Sequence, residues 1–351
     1  MDHVVTLLAR QDADTSVCSA DNDYDGRLGL RIAAVFIIWF TSTMGAVFPV
    51  FAKVHPGLGV PAWAFFVAKF FGSGIIIATA FIHLLSPAED ALRDPCLTGA
   101  ITEYDWVSGI ILIVVMVLFF VELMVMRYSQ APLPASTGRA MQDSKEGNPE
   151  SAMEQGTSAD YMPGSDHLGH NQRHNSIGAA NDPFSFEDYK AQLTAIFVLE
   201  FGIIFHSVFI GLTLAVAGEE FTTLFIVIIF HQAFEGLGLG SRLAVTPWPK
   251  NKKWTPYVLG LAYGFTTPIA IAIGLGVRNS YPPGSATTLL VNGIFDSISA
   301  GILIYTGLVE LLAHEFMFNH TMQRAPLKTV LSAVGLMFTG AALMALLGKW
   351  A

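Results

Sequence analysis

Residues 192–245 read QLTAIFVLEFGIIFHSVFIGLTLAVAGEEFTTLFIVIIFHQAFEGLGLGSRLAV, two apolar runs separated only by Gly218, Glu219, Glu220 and Phe221. As one helix this stretch would extend roughly 80 Å at about 1.5 Å per residue, whereas a bilayer core is only about 30 Å thick. The chain must therefore fold back, and Gly218 with its two glutamates supplies a tight turn between spans at 192–217 and 222–245. The same yardstick gives six more windows, at 29–53, 62–86, 106–127, 254–277, 288–313 and 327–349. The fold class expected is an all-α integral membrane protein, a multi-pass bundle of eight transmembrane helices.

Composition agrees with that class. Of 351 residues, 52% are hydrophobic and 13% charged, which excludes a disordered chain and argues against an ordinary soluble domain. Nineteen Lys and Arg against 28 Asp and Glu leave a formal charge of −9, and no basic run is long enough for nucleic acid. The balance favours cations as partners. Cys18 and Cys96 lack the spacing of a thiolate metal site and can form at most one bridge. The first 20 residues carry Asp2, Arg10, Asp12 and Asp14 and no apolar stretch of signal-peptide length, so insertion falls to the first hydrophobic helix.

Twelve Lys and Arg lie on one set of connections and six on the other, Lys69 being inside a helix. The positive-inside rule then puts both termini outside and the long connection in the cytosol. The chain divides into an extracellular tail (1–28), helices one to three (29–127), a cytosolic loop (128–191) and helices four to eight (192–351). The loop is rich in Pro, Gly, Ser, Asn and Asp and reads as disordered. Its His167, His170 and His174 are spaced to bind a divalent metal transiently, or are simply solvated.

An ionisable side chain inside lipid costs about 2.5–3.5 kcal/mol on insertion scales, so each one needs a reason. The set is Lys69, His83, Glu122, Glu200, His206, His231, Glu235, Asp296 and Glu310. His206 lies about 14 residues from the inner end of the fourth helix and His231 about nine from the outer end of the fifth. Antiparallel helices joined by a short turn bring these two to similar depth, and Glu235 follows His231 by one turn on the same face. Imidazoles with a carboxylate and no thiolate suit Zn²⁺, Fe²⁺ and similar ions. The competing reading is a pair of hydrogen-bonding histidines with a neutral acid. Thr266, Thr267 and Pro268 lie at comparable depth on the sixth helix, where proline frees a carbonyl. Lys69 and Glu122 are expected to neutralise one another. Glu310, His314 and Glu315, at the inner end of the seventh helix, could receive a departing cation.

Two segments, His206-Ser207-Val208-Phe209-Ile210-Gly211 and His231-Gln232-Ala233-Phe234-Glu235-Gly236, together resemble the ZIP family of metal transporters, most like its fungal zinc permeases. Phe81-Ile82-His83-Leu84-Leu85, Thr267-Pro268 and the stretch from Asp296 to Tyr305 followed by Glu310 agree, so the resemblance covers nearly all of the chain from residue 29 except the loop. It implies eight helices, both ends outside, import of a divalent metal across the plasma membrane, and usually a homodimer. It also implies movement of helices one, four, five and six against two, three, seven and eight. Where some members carry a second carboxylate four residues after the fourth-helix histidine, this chain has Ile210, which leaves a leaner site.

The function expected is zinc transport into the cytosol by alternating access, with zinc as cargo and no cofactor; iron or manganese remain open as cargo. The ligands expected are His206, His231 and Glu235, with Ser207, Gln232 and His83 as further contacts and His314 and Glu315 on the way out. The enzyme alternative is an intramembrane zinc metallohydrolase. The usual His-Glu-x-x-His motif fails, because Phe318 follows His314-Glu315 where a histidine is needed.

Overall fold

With no water in hydrocarbon to satisfy peptide groups, a spanning segment of this composition must close its hydrogen bonds internally, which a helix does. The computed structural model describes Cys18 and residues 24–129, 186–278 and 283–350. The tail ahead of residue 24, Cys18 apart, and most of the long connection, with its three histidines, lie outside the described residues. Eight helices are long and apolar enough to cross a membrane. They are α1 (Leu28–Val54), α2 (Ala62–Leu92), α3 (Trp106–Ser129), α4 (Phe186–Val216), α5 (Phe221–Val245), α6 (Thr255–Val277), α7 (Ala286–Phe318) and α8 (Leu327–Leu347). α2, α4 and α7 run beyond the apolar windows read from sequence because helix continues where the chain leaves hydrocarbon.

Two helices widen into π turns, α2 over Thr79–Leu85 and α7 over Gly307–Phe318. Such turns shift the register of everything after them and often mark functional positions. Ser285 starts α7 by accepting a hydrogen bond from the Thr288 backbone N–H, at 3.3 Å.

The helices pack in two sets. α1 lies against α5 and α6, and α4 against α6; α2 lies against α8 and α7, and α3 against α7. The sets meet along α2–α5 and α4–α7. Lipid tails are as apolar as leucine, so association there depends on close packing of small residues. Gly72 of α2 and Gly238 of α5 stand so close that a Cβ on either would strike the backbone of the other. Phe36, Phe40, Leu112 and Phe338 form part of an exposed apolar belt, with Trp63 and Trp254 at one edge and Trp106 and Trp350 at the other.

One face carries the α4–α5 turn, the start of α1 and a Cys18–Cys96 disulfide that ties the tail to the α2–α3 connection. Arg31, fully buried, organises this face. Its guanidinium donates to the carbonyls of Leu214 (3.1 Å), Ala215 (2.9 Å) and Ala217 (2.5 Å), the otherwise orphaned end of α4. It also pairs with Asp25 at 2.8 Å and lies over the rings of Phe221 and Tyr24. Arg27, pairing with the same carboxylate, holds Asp25 below the usual carboxylate range, with Arg31 adding to the effect, so the acid stays ionised at neutral pH. Arg31→Leu should cost several kcal/mol, because it strips the donor from three α4-end carbonyls, each worth about 1–3 kcal/mol once orphaned. Thermal unfolding in detergent would then begin at a clearly lower temperature; an unchanged midpoint would contradict this capping role.

Candidate metal centre

The α4–α5 hairpin fixes the depth of its two histidines. His206 stands ten residues before Val216 and His231 ten residues after Phe221, so both lie about 15 Å from the turn. Their ring centres are 5.7 Å apart. Glu235, one turn further along α5, places Oε2 3.8 Å from His231 Nε2. Two ligands on one tetrahedral zinc sit about 3.4 Å apart, given bonds of about 2.0–2.1 Å, so this spacing is close to that of a shared ion. The third imidazole comes from the other helix set. The π turn of α2 brings His83 edge-on to His231 at 4.7 Å, and its Nε2 lies 3.0 Å from the Met344 carbonyl oxygen of α8. The seam between the two sets thus runs through the histidine cluster.

Burial is nearly complete: relative exposure is 3% for His206, 1% for His231 and 0% for Glu235. Both ring nitrogens of His206, Nε2 of His231 and both carboxylate oxygens of Glu235 have no hydrogen-bond partner among the described residues. Each orphaned buried polar group costs about 1–3 kcal/mol, and a helical bundle keeps such groups together only where something else uses them. Tyr263, beside Glu235, commits its hydroxyl proton to the Gln232 carbonyl oxygen at 2.6 Å. The side chains of Gln232 and Ser207, fully buried, face one another with Nε2 to Oγ at 3.5 Å. Ile210 packs into an apolar cluster with α1, α5 and α6 residues, so the fourth-helix position that lacks a carboxylate is filled with hydrocarbon.

Thr267 is buried, whereas Thr266 is half-buried and bonds back to the Ala262 carbonyl. The two threonines, read together from sequence, are therefore separated by helix rotation. Glu200 on α4 is 3% exposed and neither of its oxygens has a hydrogen-bond partner among the described residues, while Asp296 on α7 is 9% exposed.

At the far end of the bundle the expected Lys69–Glu122 pair does not form. Lys69 holds Glu315 at 2.5 Å, and Glu122 accepts a hydrogen bond from the Tyr305 hydroxyl. The reason is geometric: α3 packs on α7 and α4 and meets α2 chiefly along Ser86–Leu92, far along that helix from Lys69. His314 turns to Glu310, with Nδ1 and Oε2 3.3 Å apart. Arg242 lies within α5 and reaches the Ser73 hydroxyl at 3.4 Å.

The ZIP zinc transporter family pattern matches residues 28–348, all eight helices. Zinc-regulated transporter 2 of Saccharomyces cerevisiae is 43% identical, over 99% of this chain and 100% of its own length. Zinc-regulated transporter 1 of the same yeast is 40% identical over 94% of this chain and 89% of its own length. Zinc transporter 3 of Arabidopsis thaliana is 34% identical over 95% and 89%. On that coverage and identity, the chain belongs to the ZIP zinc transporter family.

Proposed function

We propose that the protein carries zinc across the plasma membrane into the cytosol, exchanging the ion's water for His206, His231 and Glu235, with His83 closing the site from the opposing helix set. The single observation that carries this reading is the cluster of buried imidazole and carboxylate atoms without hydrogen-bond partners among the described residues, halfway along two adjacent helices. Nitrogen and oxygen donors of this kind favour zinc over Mg²⁺ and Ca²⁺, which prefer all-oxygen coordination. Zinc rather than iron or manganese follows the names of the relatives. A hydrolase finds no support, given the family and the missing second histidine of His-Glu-x-x-His.

Alternating access suits ligands divided across a seam, because sliding one helix set against the other opens the site to one side and then the other. We place both termini outside. The excess of Lys and Arg on the opposite connections supports this, as does the disulfide on the face of the termini, since disulfides persist in oxidising compartments. Lipid covers the exposed apolar belt, and the proposal includes a homodimer on the strength of the family resemblance. Ser207 and Gln232 act behind the ligands, and the ion leaves past His314 and Glu315.

In cells, His231→Ala should reduce zinc uptake to background while surface expression persists; normal uptake with normal expression would reject the ligand assignment. Deleting residues 140–180 should leave transport intact, and a deletion that abolishes it at normal expression would make the long connection part of the machinery. In reconstituted vesicles, excess Fe²⁺ should compete weakly with radiolabelled Zn²⁺, whereas equal competition would point to a broader cargo range.

A further inference from the structure

We propose that the connection between α5 and α6 is a docking surface for anionic phospholipid headgroups, favouring a lipid that carries several phosphates on one headgroup. The segment Thr246-Pro247-Trp248-Pro249-Lys250-Asn251-Lys252-Lys253-Trp254 crowds three lysines together, and no acid occurs anywhere between Glu235 and Asp296. Lys53, in the last turn of α1, belongs to the same end because α1 packs along both α5 and α6. All four lysines are exposed, and among the described residues none of them pairs with a carboxylate. The loop that presents three of them is held in one shape. The Thr246 backbone N–H donates to the Arg242 carbonyl at 3.1 Å, and the Trp248 indole N–H turns back to the Leu243 carbonyl at 2.8 Å while its ring packs on the core. Pro247 and Pro249 restrict the backbone, and the Lys252 N–H closes a tight turn onto the Pro249 carbonyl at 2.8 Å. Backbone order is therefore already in place before a headgroup arrives.

Depth selects a bilayer lipid over a soluble phosphate. Trp254 is 67% exposed and, with Trp63, marks the rim of the apolar belt, where tryptophans settle at headgroup level. The lysines just ahead of it stand where lipid phosphates lie, and their long stems let the ammonium groups converge on one headgroup. Each lysine beside an anionic bilayer surface strengthens binding about fivefold, so a multiply charged headgroup that engages several at once is favoured over a singly charged one. The α7–α8 connection at the same end of the bundle carries only Arg324 and Lys328, on either side of Pro326. The α5–α6 patch thus stands out from the general excess of positive charge on this face. α5 also carries His231 and Glu235, so a headgroup held at its end bears on the helix set that holds the metal ligands. That link to transport, and the placing of this face in the cytosolic leaflet, rest on the reading above; headgroup binding itself does not.

Native mass spectrometry of the full chain tests the surface, with micelles titrated with phosphatidylinositol bisphosphate, phosphatidylserine or phosphatidylcholine. The bisphosphate should bind most tightly and phosphatidylcholine least. Combined Lys250→Gln, Lys252→Gln and Lys253→Gln should weaken bisphosphate binding by about tenfold or more, whereas arginine at the same three positions should preserve it. Trp254→Ala should weaken it a few-fold. Lys252→Glu alone, a single charge reversal, serves if the triple variant cannot be purified. The control, Arg324→Gln with Lys328→Gln, should leave the affinity almost unchanged. An equal loss in that control would reduce the effect to diffuse surface charge and overturn the assignment. So would binding indifferent to the lysine substitutions, or equally tight binding of soluble inositol trisphosphate, which lacks the acyl chains. Normal zinc uptake by His231→Ala would sink the transport reading but not this one.

Discussion

The bilayer interior solvates nothing polar, and the architecture follows from that constraint. Five buried side-chain atoms of His206, His231 and Glu235 have no hydrogen-bond partner among the described residues. At Arg31 and Lys69 the same constraint is met inside the protein. Arg31 is fully buried yet satisfied by three carbonyls and a carboxylate, and Lys69 is matched by Glu315. The contrast separates charges that hold helices in place from donors available to a passing ion.

The structural charges also set the geometry of the available ones. Arg31 grips the end of α4 just before it turns into α5, and both histidines are measured from that turn. A slip of one residue in the turn would move one imidazole by about 1.5 Å along the axis and about 100° around it, enough to part the pair. Close backbone contact at Gly72 and Gly238 then fixes how near α2 comes to α5, and with it the distance from His83 to His231. Rigid spacing within a set and a glycine-lined seam between sets fit a site that must form and come apart repeatedly.

Much of this was legible before any coordinates. Eight spans follow from helix length against bilayer thickness, and the His206–His231–Glu235 grouping follows from a tight turn and a four-residue repeat. Both inferences stay within one helix or one hairpin, where 3.6 residues per turn is a sufficient guide. Pairings between helices distant in sequence were not legible. Whether Lys69 meets Glu122 or Glu315 depends on the rotation of α2, α3 and α7 about their axes, which apolar composition hardly constrains when lipid and protein interior are equally greasy. The π turns add to the difficulty, because after Thr79 and after Gly307 regular helical counting no longer tells which face a residue occupies. The role of Arg31 was not legible either, since nothing local marks it as the cap of a helix nearly 200 residues away.

Zinc coordination by the hairpin is the claim on which the functional account stands, and X-ray absorption at the zinc edge addresses it directly. Protein lacking residues 140–180 and loaded with one equivalent of Zn²⁺ should show a nitrogen and oxygen shell at about 2.0–2.1 Å with outer-shell scattering from at least two imidazoles. That outer signal should be lost when His206 and His231 are both replaced by alanine. An oxygen-only shell, or imidazole scattering indifferent to the double replacement, would contradict the account.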